Sequence, residues 1–257
     1  MTMFRRLLCV GVILLSGLAP ARAQTSKLDA VLAAGTLRVG IPGDYRPFAV
    51  KDSSGEITGL DIDLANAMGR AMGVKIALVA TKWGELLPDL AADKFDIAMG
   101  GISVTLARQK LAYFSTPLMR TGKSAIARCA DTTKFASLAG IDQVGVRVIT
   151  NPGGTNEAFD RANLKAATII VHPDNLGVWG ELLAGRADVM ITDNVETRLQ
   201  QKLNPGLCAI HPEAPFDFGE LGVLLPRDIA LKLWVDQFVH ITTETGELAR
   251  LQGKWLN

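Results

Sequence analysis

Two stretches of this sequence carry residue types and spacings suited to acid and anion chemistry. The first is Asn151-Pro152-Gly153-Gly154-Thr155-Asn156-Glu157. The run 144–149 before it reads as a strand, and 158–162 after it reads as the first turns of a helix. Pro152 and the two glycines predict a tight turn. Thr155 or Asn156 is the expected N-cap, with Glu157 in the first turn. Free N–H groups at a helix start, helped by the helix dipole, favour an anion. Gly153 and Gly154 let a ligand approach the backbone closely. Neither GxGxxG nor GxxxxGK[ST] is present, so the expected anion is a carboxylate rather than a phosphate. An ordinary strand-to-helix turn would share these features.

The second stretch is Thr192-Asp193-Asn194-Val195-Glu196. Asp193 falls just past a strand at 188–191, and Glu196 lies in the helix that follows. Residues three apart occupy neighbouring helix faces, so Thr192, Asp193 and Glu196 can converge on one edge. Asp193 as a simple cap and Glu196 as a dipole-favoured residue are the plainer alternatives. Arg108 sits near the start of a helix at 105–110, where the dipole disfavours a cation. That placement suits a bidentate clamp on a carboxylate; the alternative is an ion pair with Asp93 or Asp96. Tyr45, in the loop 42–48 after a strand at 37–41, either meets a ligand or covers the sheet. Trp83 lies in the loop beyond a strand at 74–80.

The elements that must position these residues alternate strand and helix along the chain. Helices are expected at 28–33, 60–72, 86–92, 105–110, 155–163, 176–184, 228–243 and 246–255. Strands are expected at 37–41, 74–80, 95–99, 124–127, 144–149, 168–171, 188–191 and 218–226, with a hairpin across Asp52-Ser53-Ser54-Gly55. The alternation predicts an α/β fold with mostly parallel sheet, and ligands at the C-terminal ends of the strands. Asp174 or Asn175 is the expected cap of the helix after His172-Pro173.

Composition bounds the function classes. The 257 residues are 48% hydrophobic and 21% charged, with a formal net charge of +1. That is ample for a large core, and without a basic tract nucleic acid is not an expected partner. Arg5 and Arg6, the apolar run 7–18 and Ala21-Arg22-Ala23 together read as an export signal at 1–23, too short for a membrane span. Losing it takes the formal charge from +1 to −2 and removes Cys9. Cys129 and Cys208 then remain, and export favours a disulfide between them over two free thiols. His172, His211 and His240 show no metal spacing, and no GxSxG, HExxH or CxxC motif occurs.

Gly59-Leu60-Asp61-Ile62-Asp63-Leu64-Ala65, Phe95-Asp96-Ile97-Ala98-Met99-Gly100-Gly101-Ile102-Ser103, Arg108 and Phe114-Ser115-Thr116-Pro117 resemble the type II periplasmic solute-binding proteins that bind amino acids. The resemblance implies two α/β lobes joined by two hinge strands: 24–122 plus 220–257, and 123–219. It also implies that Arg108 and the 151–156 turn hold a carboxylate, and that Asp193 meets an α-amino group. A narrower resemblance adds Arg161-Ala162-Asn163-Leu164-Lys165, His172-Pro173-Asp174-Asn175, Glu196, Arg198, the two cysteines, Ala209-Ile210-His211-Pro212 and Pro215-Phe216-Asp217-Phe218. With the 151–157 turn, these resemble the exported cyclohexadienyl dehydratases, which use the binding-protein fold without a metal or cofactor. That family implies conversion of prephenate to phenylpyruvate and of arogenate to phenylalanine in the periplasm. It implies Glu196 as the general acid, with Tyr45, Trp83, Ser103, Arg108, Asn151, Gly154, Thr155, Asn156 and Asp193 around the substrate. Lys82-Trp83-Gly84 and Leu221 depart from the family pattern, Ser-Trp-Pro and lysine. The competing expectation is a binding protein that delivers an amino acid to a transporter.

Overall fold

The computed structural model describes residues 25–256. The expected export segment, with Cys9, lies outside them. Two five-stranded sheets organise the chain. In the first, the strands run in the spatial order Lys75–Ala80, Thr36–Ile41, Ile97–Ala98, Leu224–Leu225 and Tyr113–Phe114. The first three are parallel, and Leu224–Leu225 runs antiparallel to both its neighbours. In the second, the order is Thr168–Val171, Arg147–Thr150, Val189–Asp193, Lys123–Arg128 and Leu207–Ile210. Here too the first three are parallel, and Lys123–Arg128 is antiparallel to its neighbours.

Both sheets are covered on both faces, which is why their strands read as unbroken apolar runs. Val39, Ile41, Leu64 and Met68 lie in the core on one face of the first sheet, and Leu86, Phe95 and Ala98 in the core on the other. In the second sheet Ala125, Val148 and Ile191 face one core, and Ile126, Ile149 and Met190 face the other.

The chain leaves the first sheet through Met119–Thr121 and returns through Gly219–Leu221, which pair antiparallel as a two-stranded ribbon. Gly122 follows the outgoing strand, where an added Cβ would lie 2.2 Å from the Asp217 carbonyl oxygen. The backbones are that close because the ribbon is the narrow join between the sheets. The strand expected at 218–226 is therefore two short strands, Gly219–Leu221 in the ribbon and Leu224–Leu225 in the sheet. Sequence reading missed the edge strand Leu207–Ile210. Its four residues lie between turn-forming Asn204-Pro205-Gly206 and His211-Pro212, too few for a period.

That edge strand carries Cys208, which is bonded to Cys129. The bond ties the end of Lys123–Arg128 to Leu207–Ile210, far along the strand from Lys123. It closes a loop with a sequence separation of 79, for which chain entropy predicts about 4 kcal/mol. The double variant Cys129→Ser/Cys208→Ser is expected to lose about 2–4 kcal/mol in urea unfolding. Unfolding curves that superimpose with and without the bond would refute this.

Candidate active site

The C-terminal ends of the parallel strands in the two sheets face each other across a narrow, nearly closed cleft. Tyr45, Trp83, Gly101 and Ser103 line it from the first lobe; Asn151, Gly154, Thr155, Asn156, Asn175, Asp193 and Glu196 line it from the second. Apart from Arg108, every ligand-contact residue expected from sequence is at this cleft. The lobes touch through side chains: the Tyr45 hydroxyl donates to Asp193 Oδ2 at 2.7 Å, and the Ser103 and Thr155 hydroxyls lie 3.0 Å apart. Asn175 is not a helix cap, since that helix begins at Val178 after Gly177. Instead its Nδ2 crosses the cleft to the Asp44 carbonyl at 3.1 Å.

The 151–157 turn differs from expectation in its capping. The helix Thr155–Asn163 has Gly154 at its N-cap, with no side-chain cap bond. Glu157 takes that work, accepting from the Gly153 N–H at 2.8 Å while Arg161 holds its other oxygen. The side chains of Thr155 and Asn156 are thereby free for the cleft. Gly153 has φ +75°, and a Cβ there would lie 2.8 Å from the Gly84 nitrogen. Both the left-handed backbone and the close lobe contact require glycine.

Arg108 does not line the enclosed cleft. It is half-buried, and its Nη1 donates to the Ser103 carbonyl at 2.9 Å. No carboxylate pairs with it among the described residues, because Asp93 and Asp96 pair with Lys27 and Arg38. Burial pulls its pKa below the usual arginine value. A desolvated guanidinium with no anion beside it is suited to receive one. The loop that carries Ser103 is held by buried Asp61, whose Oδ2 accepts from the Gly100 and Gly101 N–H groups at 2.6 and 2.8 Å.

Lys123 is the residue that sequence reading missed. Its ammonium donates to Asp193 Oδ1 at 2.8 Å, Asn156 Oδ1 at 2.6 Å and Thr155 Oγ1 at 3.1 Å. Three donors thus meet three acceptors, and the two charged side chains are only 7% and 6% exposed. The expected free carboxylate of Asp193 is therefore occupied: Lys123 holds one oxygen and Tyr45 the other. The available signal was a lone lysine opening the buried run Ser124-Ala125-Ile126-Ala127.

Glu196 is 2% exposed. Thr192 Oγ1 accepts from Asn156 Nδ2 at 3.0 Å and donates to Glu196 Oε2 at 2.6 Å. Oε2 is thus an acceptor, which leaves Oε1 as the oxygen that carries a proton. Burial, with Asp193 adding repulsion and Thr192 opposing, pushes Glu196 up to about 8. Burial beside Asp193 and Glu196 pushes the Tyr45 phenol well up, so it stays a hydroxyl. Trp83 Nε1 donates to Asp44 Oδ1 at 2.8 Å, which fixes the indole at the rim. The arrangement is a neutral carboxylic acid beside an internally neutralised ion pair, with hydroxyl, amide and indole groups around it. Such a site can protonate a leaving group in a cleft that excludes water.

Comparison with known proteins agrees with this architecture. Residues 37–257 match the model of the bacterial extracellular solute-binding proteins, family 3. A cyclohexadienyl dehydratase of Pseudomonas aeruginosa is 49% identical over 93% of this chain and 89% of that protein. The L-cystine-binding protein of Escherichia coli is 29% identical over 91% and 87%. Among solved structures, an ancestral amino acid-binding protein described as a precursor of cyclohexadienyl dehydratase is 33% identical, with a TM-score of 0.84, covering 90% of this chain and all of that one. A variant of an ancestral cyclohexadienyl dehydratase is 46% identical, with a TM-score of 0.58, covering 91% and 98%. The fold, the hinge ribbon and these matches agree that the chain belongs to the bacterial extracellular solute-binding proteins, family 3.

Proposed function

We propose that this chain is a cyclohexadienyl dehydratase, with lobes at 24–122 plus 220–257 and at 123–219, working in the periplasm after loss of 1–23. The observation that carries the reading is Glu196: a buried carboxylic acid, neutral at pH 7, facing an interlobe cleft. The 49% identical relative supports the same activity.

The substrate is a cyclohexadienol bearing a ring carboxylate and a second carboxylate on its side chain. The ring C–CO₂⁻ bond breaks, and its electron pair moves through the diene to complete the aromatic ring. The C–O bond to the ring hydroxyl breaks at the same time. Glu196 Oε1 gives its proton to that oxygen, which leaves as water with CO₂, and Glu196 becomes a carboxylate. Aromatisation drives the reaction, so the protein must hold the carboxylates, deliver one proton and exclude water. Arg108 and the remaining N–H groups at the 154–156 helix start hold carboxylates in this reading. Tyr45 and Trp83 wall the ring; Ser103, Asn151 and Asn156 orient its polar groups.

Lys123 argues against delivery of an ordinary amino acid. Its ammonium sits where a ligand's α-amino group would meet Asp193. The same occupancy favours prephenate, which has a keto group, over arogenate, which carries an ammonium.

Glu196→Gln is expected to lower prephenate turnover at pH 7 by about a hundredfold or more while binding persists. A fully active variant would sink the assignment of the acid. Turnover by the wild type should fall as pH rises through about 8, since the neutral acid is the working form. A rate that holds to pH 10 would contradict it. Lys123→Met leaves the Asp193 carboxylate buried and unpaired, so the variant should lose about 3–5 kcal/mol in urea unfolding. Unchanged stability would mean that Asp193 is relieved by something other than Lys123.

A further inference from the structure

A second buried acid lies behind the cleft and has no task in the chemistry above. Asp160, on the Thr155–Asn163 helix, is fully buried. Neither of its carboxyl oxygens has a hydrogen-bond partner among the described residues. It stands one turn after Asn156, on the same helix face. Lys123, Ala125 and Ala127 share one face of their strand by alternation, as do Val148 and Thr150 of theirs. Ala125, Ala127 and Val148 belong to the core that Phe159 and Leu164 cover. Asp160 therefore faces an apolar space floored by alanines and Val148, with Lys123 at its cleft end. The Thr150 hydroxyl on the same sheet face is likewise buried and without a partner.

We propose that Asp160 is a positioning residue: a buried acid, one turn behind Asn156, that must stay uncharged for the Lys123 ammonium to remain on Asp193, Asn156 and Thr155. The proposal rests on the dehydratase reading for its kinetic consequence. An ionised Asp160 would be a buried carboxylate with no donor, which is strongly disfavoured. Relief must come from a cation that can turn inward. Lys123 is the only lysine or arginine that is buried among the described residues. Drawing it inward strips Asp193 of its ammonium, releases Asn156 Oδ1 and adds negative charge beside Glu196. The cleft then loses both its order and its charge balance.

The charged groups that face Asp160 are few. Lys123 comes from the Lys123–Arg128 strand, and Glu157 and Arg161 come from its own helix. Arg161 is 59% exposed and held by Glu157. From Val189–Asp193, Asp193 acts through Lys123. Arg147–Thr150 adds only Arg147 at its far end, bonded to Asp188, and Thr168–Val171 adds no ionisable group. Burial outweighs the pull of Lys123 and lifts Asp160 to about 8. The neutral form is thus present at pH 7 and lost as pH rises through about 8.

The test is kcat/KM for prephenate from pH 6 to 10 in the wild type, Asp160→Asn and Asp160→Leu; the leucine variant covers the event that a buried amide folds poorly. Two ionisations near pH 8 in the wild type predict a fall of about a hundredfold between pH 7 and pH 9, with a limiting slope near −2. Either variant should fall only about tenfold, with a slope near −1. A merely structural role would shift Tm and leave the slope near −1 in the wild type as in both variants; that result, or a slope of −2 that persists in both variants, would overturn the proposal. A second arm needs no turnover: the ¹⁵N signal of the Lys123 ammonium in the free protein should move near pH 8 in the wild type and not in Asp160→Asn. A Lys123 signal that ignores pH in the wild type overturns the proposal even in an active enzyme. A signal that moves in a protein that leaves prephenate unchanged upholds the Asp160–Lys123 coupling and rejects the dehydratase reading instead.

Discussion

The site depends on one constraint: a carboxyl group must keep its proton at neutral pH while lying next to another carboxylate. Burial alone would raise the Glu196 pKa, but it would also make the neighbouring Asp193 anion intolerable. The Lys123 ammonium resolves the conflict. It neutralises Asp193 inside the protein, and so the space around Glu196 is apolar in charge though rich in hydrogen bonds. Tyr45, Thr155, Asn156 and Thr192 are each oriented by that pair or by Glu196 itself. Two of the contacts made through this network, Tyr45 to Asp193 and Ser103 to Thr155, also join the lobes. Closure and charge balance are therefore one arrangement.

The same constraint separates a binding site from a reactive one on a shared scaffold. A free carboxylate can meet the ammonium group of an amino acid. Here the ammonium is built into the chain, and in the function proposed above the cleft receives a ligand that brings anions instead. Arg108, half-buried without an anion, is complementary to such a ligand. The cost falls on stability. A buried acid with a raised pKa contributes its full stability only below its unfolded value near 4. That contribution is lost as pH rises through the folded value of about 8, for Glu196 and Asp160 alike. The two sheets, their four apolar cores and the disulfide supply the rigidity against which two such groups are held.

Much of the fold was legible because periodic apolar runs bounded by glycine and proline are local signals. The helix at 155–163 and the strand at 168–171 match their observed bounds. The helix Leu60–Met72 follows its apolar stripe and ends at Gly73, which takes the left-handed conformation expected there. Two other four-residue elements were not legible. Thr168–Val171 is an unbroken β-branched run, whereas Leu207–Ile210 and Leu138–Ile141 mix leucine, alanine, cysteine or glycine with a single isoleucine and carry no such signal. Capping was misread at Thr155 and Asn156 for a different reason. Their side chains do have the right chemistry for a cap, but Ser103, Lys123 and Thr192 compete for it across the fold.

By itself the sequence determined the strand–helix alternation, the glycine turn before a helix and the acid-bearing stretch Thr192–Glu196, since each is written in consecutive residues. Through family resemblance it also put forward Glu196 as the expected general acid. Only the tertiary structure decided which charges neutralise one another. Lys123 and Asp193 are seventy positions apart in sequence, and nothing local marks them as partners. Their pairing arises because antiparallel strands place residue 123 opposite residue 193, and the proton on Glu196 follows from burial, which outweighs the opposing pull of Lys123. Electrostatic environment is a property of distance and burial, and both are set by packing rather than by order along the chain.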